Sequence, residues 1–275
     1  MNPDPGFAAL VAGDEFALDA ACLEIARDEY PDLDAAACLA QLDATAAVIR
    51  SRLAADAFPE QRIAALNHRL FTEEGFRGNA DDYYDPRNSY LNEVLARRTG
   101  IPITLSIVYM EVGRRIGLAL RGVSFPGHFM VKLRVSRGEL VLDPYAGGVP
   151  RGPTELRERL RAMAGPAAAA ADLAPYLAAT PPRQILARVL RNLKAIHVKA
   201  GDTDRALAVM NRMLTLVPDA PEELRDRGMI YADMGAFRAA LDDLQAYLRH
   251  RPDAPDAPDV RSRVVELAAA RARLN

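Results

Sequence analysis

A histidine and an aspartate fifteen residues apart are the first candidates for chemistry in this chain: His128, in Pro126-Gly127-His128-Phe129, and Asp143, in Leu142-Asp143-Pro144. A carboxylate that takes one ring N–H of an imidazole fixes its tautomer and leaves the other nitrogen to act as a base or to bind a ligand. The plainer role of such a histidine is a hydrogen bond to a neighbouring carbonyl or carboxylate. Alternation along the flanking residues supplies a geometric check. If Arg137-Gly138 is a two-residue turn, Asp143 opposes Lys132 and shares a face with His128, whereas a three-residue turn at Ser136-Arg137-Gly138 puts the two on opposite faces unless a bulge intervenes. A second group, Asn88, Ser89, Asn92 and Glu93 in NSYLNEVL, either caps and packs a helix or lines a cleft with polar groups that recognise a peptide or amide. Tyr83, Tyr84 and Arg87 then flank its mouth. Metal binding is not expected: His68, His128, His197 and His250 are dispersed, and neither HExxH nor a close carboxylate cluster occurs. Walker and dinucleotide fingerprints are missing, so no cofactor is expected. Cys22 and Cys38 lie sixteen residues apart in alanine-rich, helix-like sequence, which fits neither a disulfide framework nor a metal or redox pair.

The elements that must hold these residues can be read from periodicity. Residues 6–55 read as helix, broken near Tyr30-Pro31-Asp32, with Leu39, Leu42, Ala46, Ile49 and Leu53 forming one buried face. Pro59 opens a helix that Gly75 and Gly78 end, and residues 79–90, NADDYYDPRNSY, form a polar loop of the kind that carries function on a rigid scaffold. Leu91 to Arg98 is a short helix, and Ile103 to Ile116 is a helix apolar almost all round and therefore buried on several sides. Ser89 and Thr104 are the candidate N-caps, although Thr104 fits equally inside the second helix. The period then drops to two: Phe129, Val131, Leu133 and Val135 alternate with polar neighbours, and Glu139 to Leu142 forms a partner strand that Asp143-Pro144 ends. A helix from Thr154 to Met163 leads into the alanine-rich, proline-flanked stretch Gly165 to Pro182, read as a domain boundary.

Beyond it the chain repeats itself. Gly201 recurs as Gly235, Ala206 as Ala240, Pro218 as Pro252 and Asp219 as Asp253, each at an offset of 34, the period of tetratricopeptide helical hairpins. The matched positions are a turn glycine, a small residue where helices cross, and a proline ending the second helix.

The 275 residues, half of them hydrophobic and a quarter charged, have a globular composition. No apolar stretch approaches the roughly 20 residues of a membrane span, and the start, MNPDPGFAALVAGDEF, is unlike a signal peptide, so a cytoplasmic protein without membrane association is expected. The net charge of -2 hides a gradient, from -8 over residues 1–50 to +6 over residues 151–199. The basic residues are spread over helices without interleaved aromatics, so nucleic acid is not the expected partner.

The run DYYDPRNSYLNEVLARRTGIPITLSIVYMEVGRRIGL (82–118), with FPGHFMVKL (125–133) and LVLDPYAGG (140–148), resembles the SirB-type invasion-regulator family, in which a transglutaminase-like core precedes tetratricopeptide repeats. The resemblance covers about residues 35–250 in the same domain order. It implies a papain-like α+β core and, in active members of the wider superfamily, a thiol triad of cysteine, histidine and aspartate. His128 and Asp143 match the last two, while the helix that should begin with the cysteine opens Pro102-Ile103-Thr104-Leu105-Ser106. A hydroxyl there feels the same helix dipole as a thiol but stays neutral, and needs a base at the moment of attack. The expectation is therefore an α+β transglutaminase-like domain with N-terminal helices over 1–165, a linker over 166–182 and a tetratricopeptide domain over 183–275. Its function is expected to be protein or peptide binding through the repeat groove or a vestigial cleft holding Asn88, Asn92, Glu93 and Thr104. A serine-dependent hydrolase or acyltransferase using Ser106, His128 and Asp143 is the alternative. The oligomeric state stays open.

Overall fold

The computed structural model describes residues 5–136, 138–170 and 172–274. Two compact units make up the chain, one of residues 10–189 and one of residues 1–9 with 190–275. Helices α1 (Pro5–Leu10), α2 (Leu18–Ala26), α3 (Ala35–Ser51), α4 (Pro59–Asn67), α5 (Leu91–Arg97) and α6 (Pro102–Arg115) come first in the chain. A π-helical turn at His68–Glu73 extends α4, and two short strands, β1 (Arg77–Gly78) and β2 (Thr99–Gly100), pair in parallel.

The helix that is apolar almost all round is the centre of the first unit. Residues Pro102 to Gly113 of α6 are all buried, as its sequence demands, and α2, α3, α4 and α5 pack around it. Beside it lies an antiparallel five-stranded sheet, built from β3 (Arg121–Val123), β4 (Met130–Val135), β5 (Gly138–Asp143), β6 (Val149–Pro150) and β7 (Ala179–Thr180) in the order β6-β5-β4-β3-β7. Val123, Met130 and Val141 pack on one face with Leu156 and Leu160 of α7 (Pro153–Ala170). Val131, Leu133 and Leu142 are buried on the other, where β4 meets α6.

Several details differ from the sequence reading. The hairpin register pairs Val135 with Gly138 and Val131 with Leu142, so one step further Asp143 falls opposite Met130 and not Lys132. The shift is an even number of residues, so Asp143 still shares a face with His128. The loop between β4 and β5 is thus Ser136 and Arg137, of which Arg137 lies outside the described residues. Ser89 is not a cap: Tyr90 precedes α5 without a side-chain cap bond. Thr104 lies inside α6, where its hydroxyl accepts from the Ile101 N–H at 3.1 Å. The stretch read as a linker contributes Leu173 to the core and β7 to the sheet edge, and helix α7 runs past Met163 with a break at Gly165 (φ 83°) before Pro166.

In the second unit, the end of α8 (Pro182–Ala200), with α9 (Thr203–Leu216), α10 (Pro221–Asp233) and α11 (Phe237–His250), makes two helical hairpins followed by α12 (Ala257–Leu274). The 34-residue repeat has its physical basis here. Gly201 and Gly235 sit at the two hairpin turns with φ of +70° and +74°, and Ala206 and Ala240 are fully buried at the start of the returning helices. A methyl at Gly235 would meet nothing within 4 Å, so only its left-handed backbone resists substitution. Gly235→Ala is expected to cost about 1 kcal/mol in urea unfolding of the full chain. No helix among the described residues is long and apolar enough to cross a membrane.

Candidate functional site

His128 and Asp143 meet at the end of the sheet. Gly127, with φ of +67°, turns the chain so that the His128 N–H bonds the Phe125 carbonyl at 3.0 Å, and the imidazole then points at the last residue of β5. His128 Nε2 lies 2.8 Å from Asp143 Oδ1, and both side chains are buried. Arg151 takes the other carboxylate oxygen, with Nε at 3.2 Å and Nη2 at 3.1 Å from Oδ2. Burial raises the Asp143 pKa, but the His128 bond and charge, together with Arg151, outweigh it and hold the carboxyl below its ordinary range. An ionised Asp143 only accepts, so Nε2 of His128 is the donor and Nδ1 is the ring nitrogen left over.

The loop after Asp143 is anchored from below. Gly148 N–H bonds the Asp143 carbonyl at 2.8 Å, and Asn67 Nδ2 donates to the Gly148 carbonyl at 3.1 Å while its Oδ1 accepts from Tyr109 of α6 at 2.7 Å. Gly148 (φ +74°) has no room for a side chain, since a methyl there would sit 2.1 Å from Asn67 Oδ1. Tyr145 stands edge-on to His128, ring centres 5.9 Å apart, and its ring presses so close to Gly78 of β1 that a methyl at that glycine would overlap it at 2.4 Å. Arg151 and Tyr145 were not among the residues singled out from sequence. Their only signal is their place in the irregular segment that follows Asp143-Pro144.

The remaining candidates have other duties. Ser106 is fully buried, and its hydroxyl makes no hydrogen bond among the described residues, to His128 or to anything else. Of Ser106, His128 and Asp143, hydrogen bonds join only the His128–Asp143 pair among the described residues, and Arg151 backs it. Asn88 and Thr104, read as substrate-binding, are spent internally. Thr104 Oγ1 donates to the Asn88 carbonyl at 2.7 Å, Asn88 Oδ1 accepts from Asn79 at 3.1 Å, and Asn88 Nδ2 donates to the Asp82 carbonyl at 2.7 Å. Together they lock the polar loop onto the start of α6. Glu93 bonds the Tyr30 hydroxyl, whose pKa burial and Glu93 raise to about 12. The buried Asn92 Oδ1 and the Ser89 hydroxyl have no hydrogen-bond partner among the described residues. Tyr83 and Tyr84 form an exposed edge-to-face pair, and Arg87 is paired with Asp85.

Neither cysteine is suited to nucleophilic work. Burial, then the carboxylates of Asp19 and Glu111, push the Cys22 thiol well above its ordinary range, and burial and Asp34 raise Cys38. Mass spectrometry after iodoacetamide treatment of the native protein is expected to show Cys38 modified slowly and Cys22 only after unfolding. Rapid labelling of Cys22 in the folded state would contradict this.

Residues 36–191 match the transglutaminase-like superfamily, and residues 193–265 match the tetratricopeptide repeat. The chain is similar to a UPF0162 protein of Xylella fastidiosa (strain Temecula1), 44% identical over 94% of this chain and 93% of the relative. A UPF0162 protein of Pseudomonas aeruginosa is 33% identical over 98% of this chain and 97% of its own length. The mouse F-box only protein 21 shares a shorter stretch, 44% identical over 72 residues, which is 26% of this chain and 12% of that protein. These bacterial relatives carry the UPF0162 name and not the SirB one, while the two family matches of this chain agree with the resemblance in domain architecture. No solved structure matches.

Proposed function

Because the chain belongs to the transglutaminase-like superfamily, with UPF0162 proteins as relatives over nearly their whole length, we propose that it binds peptides non-covalently at His128 and Asp143 and through its repeats. The observation that carries this reading is the arrangement of the imidazole: Nε2 is committed to Asp143, Arg151 neutralises the far oxygen, and no thiol or hydroxyl hydrogen-bonds the ring among the described residues. Such a group is a fixed hydrogen-bonding partner for a peptide N–H or carbonyl, and it lacks the activated nucleophile that acyl transfer requires. Kinship with the SirB-type regulators in particular belongs to the same reading.

The repeat unit supplies the second surface. A cavity of about 470 Å³ between α8 and α10 is lined by Ala195, Val198, Met229 and Ile230. At its edge Lys194 is clamped between Glu223 and Asp226, each at 2.7 Å. Apolar walls with a fixed polar rim suit an extended or helical segment that inserts one side chain.

The test begins with selection of peptides from a displayed random library on the full-length protein. Affinity and unfolding free energy are then measured on the same His128→Ala variant. Arg151 still covers Asp143 when the imidazole is gone, so the stability loss is expected to stay near about 1 kcal/mol. Affinity is expected to fall by about tenfold or more. Unchanged affinity in a folded variant, for every peptide selected, would overturn the reading at this site. Amide hydrolysis that Ser106→Ala abolishes would overturn its non-catalytic part.

A further inference from the structure

A cavity of about 590 Å³ in the first unit does not include the His128–Asp143 pair. Its walls are apolar, formed by Phe16 and Leu18 at the start of α2, Leu118 and Leu120 after α6, and Ile185 of α8. Glu15, Arg114, Arg121 and Thr180 are polar residues at its margin, and one charged wall residue is buried. Glu111, on the last turns of α6, lines the cavity and is only 6% exposed.

Its surroundings are short of positive charge. Glu111 and Asp19, both buried, share the guanidinium of Arg115, which lies 3.0 Å from Glu111 Oε2 and 2.7 Å from Asp19 Oδ2, and which also bonds Asp43 at 2.6 Å. Arg114 bonds Glu111 too, from a side chain that is 61% exposed and so weakened by solvent. Every guanidinium bond to Glu111 goes to Oε2, from Arg114 Nε and Nη2 and from Arg115 Nη1, and Oε1 receives none among the described residues. At the rim Glu15 and Arg121 are exposed charges of opposite sign and leave no net charge between them. Burial first, then repulsion from Asp19, outweigh Arg114 and Arg115 and hold the Glu111 carboxyl above its ordinary range. That is the sign expected where a buried carboxylate lacks part of its counter-charge.

We propose that this cavity binds a small aliphatic amine, its alkyl chain against Leu18, Leu118 and Ile185 and its ammonium group donating to Glu111 Oε1. The volume lies within the roughly 300–1,000 Å³ of small-molecule sites, with one convergent polar group on apolar walls to fix orientation. An ammonium answers both demands of the site, the missing positive charge and the unused acceptor, while a neutral alcohol meets only the second. A carboxylate would add to the repulsion.

Three probes with one alkyl chain and different heads separate these terms: hexylammonium, hexanol and hexanoate, titrated into the full-length protein by calorimetry. Hexylammonium is expected to bind about tenfold more tightly than hexanol, the difference between a charge-assisted and a neutral hydrogen bond, and hexanoate more weakly than hexanol. Glu111→Gln is expected to erase the preference for the ammonium while hexanol affinity holds. Ala119, an exposed residue of the cavity wall, gives a second variant that spares the ion network, and Ala119→Trp is expected to weaken all three probes. The proposal is overturned if hexanol matches or exceeds hexylammonium on the natural protein, or if the ammonium preference survives in Glu111→Gln. It is equally overturned if Ala119→Trp leaves hexylammonium affinity unchanged, an outcome that stands even if Glu111→Gln fails to fold.

Discussion

Arg115→Met is expected to destabilise the protein by about 3–5 kcal/mol, the range for removing one partner from a buried ion network. The guanidinium joins three helices: it reaches Asp19 on α2 at 2.7 Å, Asp43 on α3 at 2.6 Å and Glu111 on its own helix at 3.0 Å, while its backbone carbonyl accepts from Arg50 of α3 at 2.8 Å. Asp19 is 2% exposed and, among the described residues, keeps only the Ala20 N–H and a long contact to Arg114 when Arg115 is gone. Methionine fills much of the same volume, so the loss reports the two stranded carboxylates and not a cavity. Asp19→Asn in the Arg115→Met background is expected to recover part of it, which a packing defect would not. The pH dependence has a definite sign. Glu111 is held above its unfolded pKa, so its contribution is complete below the unfolded value and is lost as pH rises through the folded one. Removing Arg115 raises that carboxyl further and widens the window of loss. Urea unfolding at neutral pH checks the main effect, and a loss below about 1 kcal/mol would show that the network is solvated.

Asp143→Ala is expected to cost about 1–3 kcal/mol at neutral pH, because His128 Nε2–H and the Arg151 guanidinium lose their acceptor together. Arg151 is a quarter exposed and retains Glu155 at 2.9 Å, so the larger share falls on the buried imidazole. Asp143 has the opposite linkage to Glu111. Its folded pKa lies below the unfolded one, so its stabilisation is present above the unfolded aspartate value of about 3.9 and is lost as pH falls through the folded pKa. The natural protein should therefore lose stability in acid more steeply than Asp143→Ala, and the two curves should converge at the acidic end. Parallel curves would mean that Asp143 does not hold its charge through these bonds.

Much of the fold was legible because it rests on local periodicity. The buried α6, apolar almost all round, the alternating β4–β5 hairpin and the 34-residue recurrence of Gly201 and Gly235 each write a repeat into adjacent residues. The short pairings β1–β2 and β3–β7 did not show, because strands of two or three residues have no period to read and draw their stability from distant chain. At the site, the even spacing of a hairpin was enough to put His128 and Asp143 on one face. Arg151 and Tyr145 follow from the path of the loop after Pro144, which depends on Asn67 and Gly148 eighty-one residues apart. For Asn88, Thr104 and Ser106 the residue type left the role open. A polar side chain near a helix start can face a cleft or satisfy the backbone beside it, and only the observed partners decide.

The state of the His128 ring is the most direct test that this pair forms a binding site. Long-range proton–nitrogen correlation spectra of the labelled full-length protein distinguish the two ring nitrogens, and can be recorded alone and with a saturating selected peptide. At a pH where the ring holds a single proton, the free protein is expected to carry it on Nε2, to lose that preference in Asp143→Asn, and to show the Nδ1 resonance move when peptide binds. A proton on Nδ1 in the free protein, or ring resonances that a saturating peptide leaves where they were, would contradict the account.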